Sequence, residues 1–246
     1  MDAAAALRLD LRRARALGRH PLVLAYHAVG EAPAGDDPER LVVSPAHLRA
    51  HIRLLETLGY RFRTAARLLD GRRDGGRTAV LSFDDGWLDA LTVVAPMLEP
   101  LGARATFFVC PGTWGGRSPY VSGGCGRLLS SEQARELHAA GHELGAHTMT
   151  HPDLRSLDGA TLRRELRDCK AAIEDLTGEP CRTFAYPFGS AGEREVEAVA
   201  EAGFELGFGW GADLPRRRHL LPRLAGPTRH GAAGLAGKLA GLRPEA

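Results

Sequence analysis

Short apolar runs alternate with longer amphipathic ones along almost the whole chain. Residues 21–29 (PLVLAYHAV) predict a first strand, and Ser44 offers an N-cap for a helix running to about Leu58. Residues 78–83 (TAVLSF) predict a second strand, followed by a helix-like stretch over 87–101. Residues 103–110 (ARATFFVC) predict a third strand. Ser131 is placed to cap a helix that ends at Gly141. Residues 142–147 predict a fourth strand, and 161–176 have helical periodicity up to Gly178. Strands over 181–186, 204–207 and 219–224 and helices over 191–202 and 231–242 complete the series.

Strand and helix alternating at this spacing predict a parallel sheet with helical crossovers. Seven or so repeats in one block of about 220 residues suit an α/β barrel, open or closed, better than two domains. The expected organisation is an N-terminal amphipathic helix within residues 1–20 and a single barrel domain over 21–246. In such barrels the reactive groups stand at the carboxyl ends of the strands.

Composition narrows the class. The 246 residues are 44% hydrophobic and 25% charged, which excludes a disordered or fibrous chain. Thirty-two basic against thirty acidic residues leave a net charge of +2, too balanced to argue for a nucleic-acid partner. The four cysteines, Cys110, Cys125, Cys169 and Cys181, have no zinc-knuckle spacing and no disulfide framework. No run approaches the ~20 apolar residues of a membrane span, and the arginine-bearing start does not read as a secretory signal. The expected location is therefore cytoplasmic. The basic amphipathic stretch over 3–17 either packs on the domain or makes weak contact with a membrane surface.

Three motifs fall where expected strands end. The first is Ser82-Phe83-Asp84-Asp85-Gly86. Adjacent carboxylates at a strand terminus point in different directions, so one can hold a metal while the other serves as a base. An Asp-Gly turn with a helix cap explains the same letters. The second is His147-Thr148-Met149-Thr150-His151. Two imidazoles at i and i+4 reach one point if the segment forms a helical turn, although ten histidines make some close pairs by chance. Together with one of the aspartates they would supply two nitrogens and one oxygen, the donor set of a hydrolytic zinc site with an open position. The third is Phe184-Ala185-Tyr186-Pro187-Phe188-Gly189. Proline rigidifies the turn and leaves the Phe188 amide either facing an oxyanion or serving a plain strand-to-helix connection.

In this order, SFDDG, HTMTH and FAYPFG resemble the three central motifs of the polysaccharide deacetylases, the NodB-like carbohydrate esterase family 4. The ATFFV and AGHELGAHTMTHPDL segments resemble the family too, and the likeness runs from about Leu22 to Leu224. The resemblance implies a distorted (β/α)7-type barrel and metal-dependent removal of acetyl groups from N-acetylated sugars, with zinc the preferred ion. Carried over by position, Asp85, His147 and His151 resemble the metal ligands, Asp84 the catalytic base and the Phe188 amide the oxyanion donor.

Two positions depart from the family pattern. Where the third motif often has an arginine that orients the base, this chain has Ala185, and Arg223 is the expected substitute from another strand. No late Leu-x-His supplies a general acid. The LAYH opening resembles a permuted branch typified by exopolysaccharide deacetylases, which makes His27 the expected acid and His230 its rival. Tyr186 and Trp210 are read as sugar-stacking or core residues. Glu143 and Asp153 are read as partners of the ligand histidines, with a helix cap the alternative for Asp153. The competing functions are a non-catalytic carbohydrate-binding relative and a deacylase of a small non-sugar amide.

Overall fold

The computed structural model describes residues 21–32, 35–70, 76–120, 126–211 and 217–241. The amphipathic stretch expected over 3–17 lies outside the described residues, as does Cys125. Among the described residues, ten strands and six α-helices follow one another. They are β1 (Leu22–Tyr26), β2 (Ala28–Val29), β3 (Val42–Val43), α1 (Pro45–Thr57), β4 (Tyr60–Phe62) and β5 (Arg77–Phe83). Next come α2 (Ala95–Leu98), β6 (Thr106–Val109), α3 (Ser131–Ala139), β7 (Glu143–Ala146) and α4 (Gly159–Thr177). The last are β8 (Thr183–Ala185), α5 (Glu193–Glu201), β9 (Leu206–Trp210), β10 (Leu221–Ala225) and α6 (Ala232–Leu239).

All main-sheet pairings are parallel, in the order β1-β10-β9-β8-β7-β6-β5, and β1 pairs back onto β5 to close a seven-stranded barrel. This is the (β/α)7-type architecture expected from the alternation. Its distortion has two visible sources. The β7–β8 junction holds only one residue pair, Ala146 with Phe184. The short β4 occupies Arg77–Ala79 of β5, which displaces β6 to Ser82–Phe83 on the neighbouring stretch.

Alternation along the strands sorts side chains into two apolar layers. Val23, Val80, Phe108, Ala185, Leu206 and Phe208 fill the barrel. Leu24, Leu81, Phe83, Phe107 and Phe184 face the helices outside. Continued upward, the inward series on β5 runs Val80, Ser82, Asp84, and on β10 it includes Leu221 and Arg223. The pleat itself therefore aims Asp84 and Arg223 into the barrel mouth.

The helices start and stop on local signals. Ser44 accepts from the His47 amide at the start of α1. The α3 cap is Ser130 rather than the expected Ser131, because Ser130 and Gln133 satisfy each other's amides in a capping box. Asp158 caps α4, and Gly178 ends it in the left-handed conformation. The helix expected over 87–101 is broken into a π-turn (Ala90–Val94), α2 and a 3-10 turn (Glu99–Leu101). Pro96 and Pro100 remove amide donors that a continuous helix would need. No described helix is long and apolar enough to cross a membrane.

Candidate active site

The barrel mouth gathers residues from β1, β5, β7, β8, β9 and β10. Arg223, completely buried, donates from Nη1 to Asp84 Oδ1 (2.6 Å) and from Nη2 to Asp84 Oδ2 (2.8 Å). It also reaches Ser82 Oγ (3.3 Å) and the Gly209 carbonyl (3.4 Å), and its guanidinium lies over the Phe108 and Trp210 rings. Burial alone would raise the Asp84 carboxyl, but the Arg223 charge, with His147 and His27, holds it below its ordinary value.

Asp85 breaks the alternation. Its backbone turns left-handed (φ 70°), which swings its carboxylate away from the outward course that the pleat would give it. Oδ2 accepts from the indole Nε1 of the buried Trp87 (3.3 Å). Oδ1 stands 3.4 Å from His147 Nε2 and 3.3 Å from His151 Nε2.

The histidines do not lie on the helical turn that their spacing suggested. They sit in a loop in which Thr148 (φ 67°) and His151 (φ 60°) are both left-handed. Thr148 Oγ1 accepts from the His151 amide (2.9 Å), and Glu165 on α4 accepts from the amides of Met149 and Thr150 and from the Thr150 hydroxyl. Four of the five described non-glycine residues with positive φ, namely Asp85, Thr148, His151 and Phe188, stand at this site. Such strain concentrates where function over-determines the backbone.

The donor set fits a divalent cation. His147 Nδ1 lies 2.7 Å from the Ala185 carbonyl, so the ring proton sits there and the Nε2 lone pair faces Asp85. Asp85 Oδ1 is buried without a hydrogen-bond partner. One ligand atom from each of Asp85, His147 and His151 lies within 4.8 Å of the others. Converging lone pairs repel unless a cation stands between them, and two imidazoles with one carboxylate suit zinc and related ions. Burial would raise the Asp85 carboxyl, yet with protons rather than an ion on the two facing nitrogens the imidazoles hold it well below the carboxylate range. Burial would lower His147, and the charges of Asp84 and Asp85 raise it instead.

His27 stands just past β1, half-buried, with its ring 5.5 Å from that of Trp210. Burial lowers its pKa, while Asp85, Asp84, Arg223 and His147 all act on it through their charges. His230 is exposed on the β10–α6 connection, and its carbonyl accepts from His51 of α1 (2.7 Å). The barrel mouth therefore gathers His27 and not His230. Phe188 is left-handed (φ 57°), and its 55%-exposed ring packs edge-on against His151 (4.9 Å).

Of the lesser readings, Tyr186 and Asp153 follow the core and cap alternatives, and Glu143 departs from its expected role. Tyr186 is buried, with its hydroxyl donating to the His219 carbonyl (2.6 Å), so it is no sugar platform. Glu143 accepts from Ala66, Thr106 and Thr183 near the start of β7, at the opposite end of the strand from the histidines. Asp153 caps the 3-10 turn over Leu154–Ser156. Trp87, Tyr120 and Glu165 contact the ligand residues or their loop but were not singled out by sequence. Only Trp87, next to the Asp-Asp-Gly turn, carried a positional hint.

Comparison with known proteins places the chain in a family. Residues 71–207, more than half of the chain, match the family model for polysaccharide deacetylase, and the chain belongs to that family. A chitooligosaccharide deacetylase of Bradyrhizobium sp. is 32% identical over 135 residues, covering 54% of this chain and 56% of the relative. A chitin deacetylase of Pestalotiopsis sp. is 26% identical over 129 residues, covering 52% and 40%. The chain thus spans about half the length of these relatives. The Streptococcus pyogenes deacetylase PplD in complex with acetate superposes with a TM-score of 0.73 at 21% identity, over 89% of this chain and 97% of that one. IcaB from Ammonifex degensii gives 0.70 at 23% identity, over 89% and 97%. At these identities the structural likeness is one of fold.

Proposed function

We propose that the protein is a metal-dependent deacetylase that hydrolyses the acetamide of an N-acetylated amino sugar, releasing acetate and a free amine. The observation that carries this reading is the buried, unpartnered Asp85 Oδ1 facing two imidazole nitrogens, beside a second carboxylate held by Arg223. The sugar class follows from the family and from relatives described as chitin and chitooligosaccharide deacetylases.

Asp85, His147 and His151 would hold the ion, with zinc the best match to the donor set. Such an ion supplies Lewis-acid polarisation of the acetamide carbonyl and lowers the pKa of water. Asp84 is the base that takes a proton from the attacking water. Arg223 keeps it ionised and fixes both its oxygens, so it is oriented before substrate arrives. That pairing lowers its basicity, and the return is a single productive geometry. The Phe188 amide donates to the developing oxyanion, a contact worth ~3–4 kcal/mol in comparable sites. His27 gives a proton to the departing nitrogen, without which an amine leaves poorly.

The deciding experiment is acetate release from N-acetylglucosamine oligomers, N-acetylated monosaccharides and a simple aliphatic acetamide, with and without chelator. The reading expects release from the sugars, loss on chelation and recovery with zinc. Release from none of the sugars, or release untouched by chelation, overturns it.

A further inference from the structure

The segment after β6 returns to the site. Gly115 and Leu129 pair through backbone, as do Ser118 and Gly126, and the Leu129 amide donates to the carbonyl of Gly86, next to Asp85. This ladder carries Tyr120, whose amide donates to Ser118 Oγ (3.2 Å). The Tyr120 hydroxyl lies 3.3 Å from His151 Nδ1, and its ring stands edge-on to His151 (5.7 Å) and to Phe188 (6.2 Å).

We propose that Tyr120 is a positioning residue for His151, its hydroxyl accepting from Nδ1–H so that the Nε2 lone pair stays turned toward Asp85. The proposal rests on the metal-site reading above. The chemistry is that of imidazole tautomers: a ring that offers one nitrogen to a cation carries its proton on the other, and whatever accepts that proton fixes the ring's rotation. His147 meets this need with the Ala185 carbonyl. His151 is half-buried, and Tyr120 Oη is the partner that its Nδ1 finds among the described residues. Its left-handed backbone, tied to Thr148, fixes the origin of the side chain but not the ring's rotation. Tyr120 thereby couples a segment distant from the ligand motifs to the affinity of the site.

Tyr120→Phe keeps the ring and deletes the hydroxyl. Zinc affinity is measured by competition with a chromophoric chelator, and the thermal midpoint of the metal-free protein by calorimetry. Tyr60→Phe, in β4 and away from the site, is the control. The expected result is a zinc Kd raised about ten- to a hundredfold in Tyr120→Phe, with the metal-free midpoint unchanged and Tyr60→Phe indistinguishable from wild type. A Kd within twofold of wild type, or equal weakening in Tyr60→Phe, overturns the inference while leaving the metal site standing. Wild type that binds no zinc overturns both.

Discussion

Arg223 and Asp84 form a two-pronged ion pair across 139 positions of sequence, inside a barrel mouth from which both are almost wholly excluded from water. Fork-shaped donors match a carboxylate in a way that a lysine ammonium cannot. Arg223→Lys is therefore expected to keep the charge but lose the orientation, lowering kcat by about 10²-fold with KM little changed. Arg223→Met leaves a buried carboxylate unpaired and should destabilise the fold by roughly 3–5 kcal/mol. Steady-state kinetics and calorimetry separate the two effects. Equal kcat in Arg223→Lys and wild type would show that the pair is scaffolding alone.

Asp84 and Asp85 are neighbours with different expected losses. Asp84→Asn should cost about 10²–10⁴-fold in turnover with metal content intact, because Asp84 points at Arg223 rather than at the imidazoles. His147→Ala should strip the ion, and it also leaves the Ala185 carbonyl without its donor, at about 1–3 kcal/mol. Metal analysis of the purified variants checks both. A metal-free Asp84→Asn, or a fully loaded His147→Ala, would reverse the assignment.

The two candidate acids differ in position. His27 shares the mouth with Asp84, Asp85 and His147, whereas His230 is exposed and engages α1 through its carbonyl. His27→Ala should lower kcat by about 10²–10⁴-fold, and His230→Ala should leave it unchanged. An active His27→Ala would remove that residue from the chemistry.

Much of this was legible in sequence because it rests on period and punctuation. The strand–helix alternation gave the barrel, and the three motifs fell at strand ends where barrels place their chemistry. Arg223 was the expected substitute for the arginine missing at Ala185, and it pairs with Asp84. The pleat explains how: Arg223 lies on the inward series of β10, as Asp84 does on β5. What was not legible depends on contacts between distant segments. Tyr120 reaches His151 through a loop with no motif, and Glu165 holds the histidine loop from a helix that reads as an ordinary amphipathic one. The histidine spacing suggested a helical turn, but Thr148 and His151 adopt left-handed backbone that letter patterns do not announce. Glu143 is anchored by three partners near the base of β7, a role that proximity in sequence to His147 disguised.

The last prediction concerns a carboxyl outside the proposed chemistry. Asp89, four residues beyond Asp85, has a buried Oδ1 with no hydrogen-bond partner. Burial pushes its pKa from 3.8 up to about 8, and the backbone amides of Val29 and Asp89 pull it back only in part. Between those two values the folded protein holds a proton that the unfolded chain has released. The Asp89 contribution to stability therefore falls as pH rises from about 4 to about 8, by at most about 1.4 kcal/mol per pH unit, and levels off above 8. His142, pushed down to about 4 by burial, acts in the other direction, its contribution being lost as pH falls from 6.5 toward 4. The wild-type profile mixes the two, so the informative quantity is a difference. Asp89→Asn is neutral throughout, and its thermal midpoint relative to wild type should climb steadily between pH 4 and 8 and then stay level. A difference that is flat across that range would mean that the Asp89 carboxyl is already ionised in the fold and that its buried oxygen is satisfied by water.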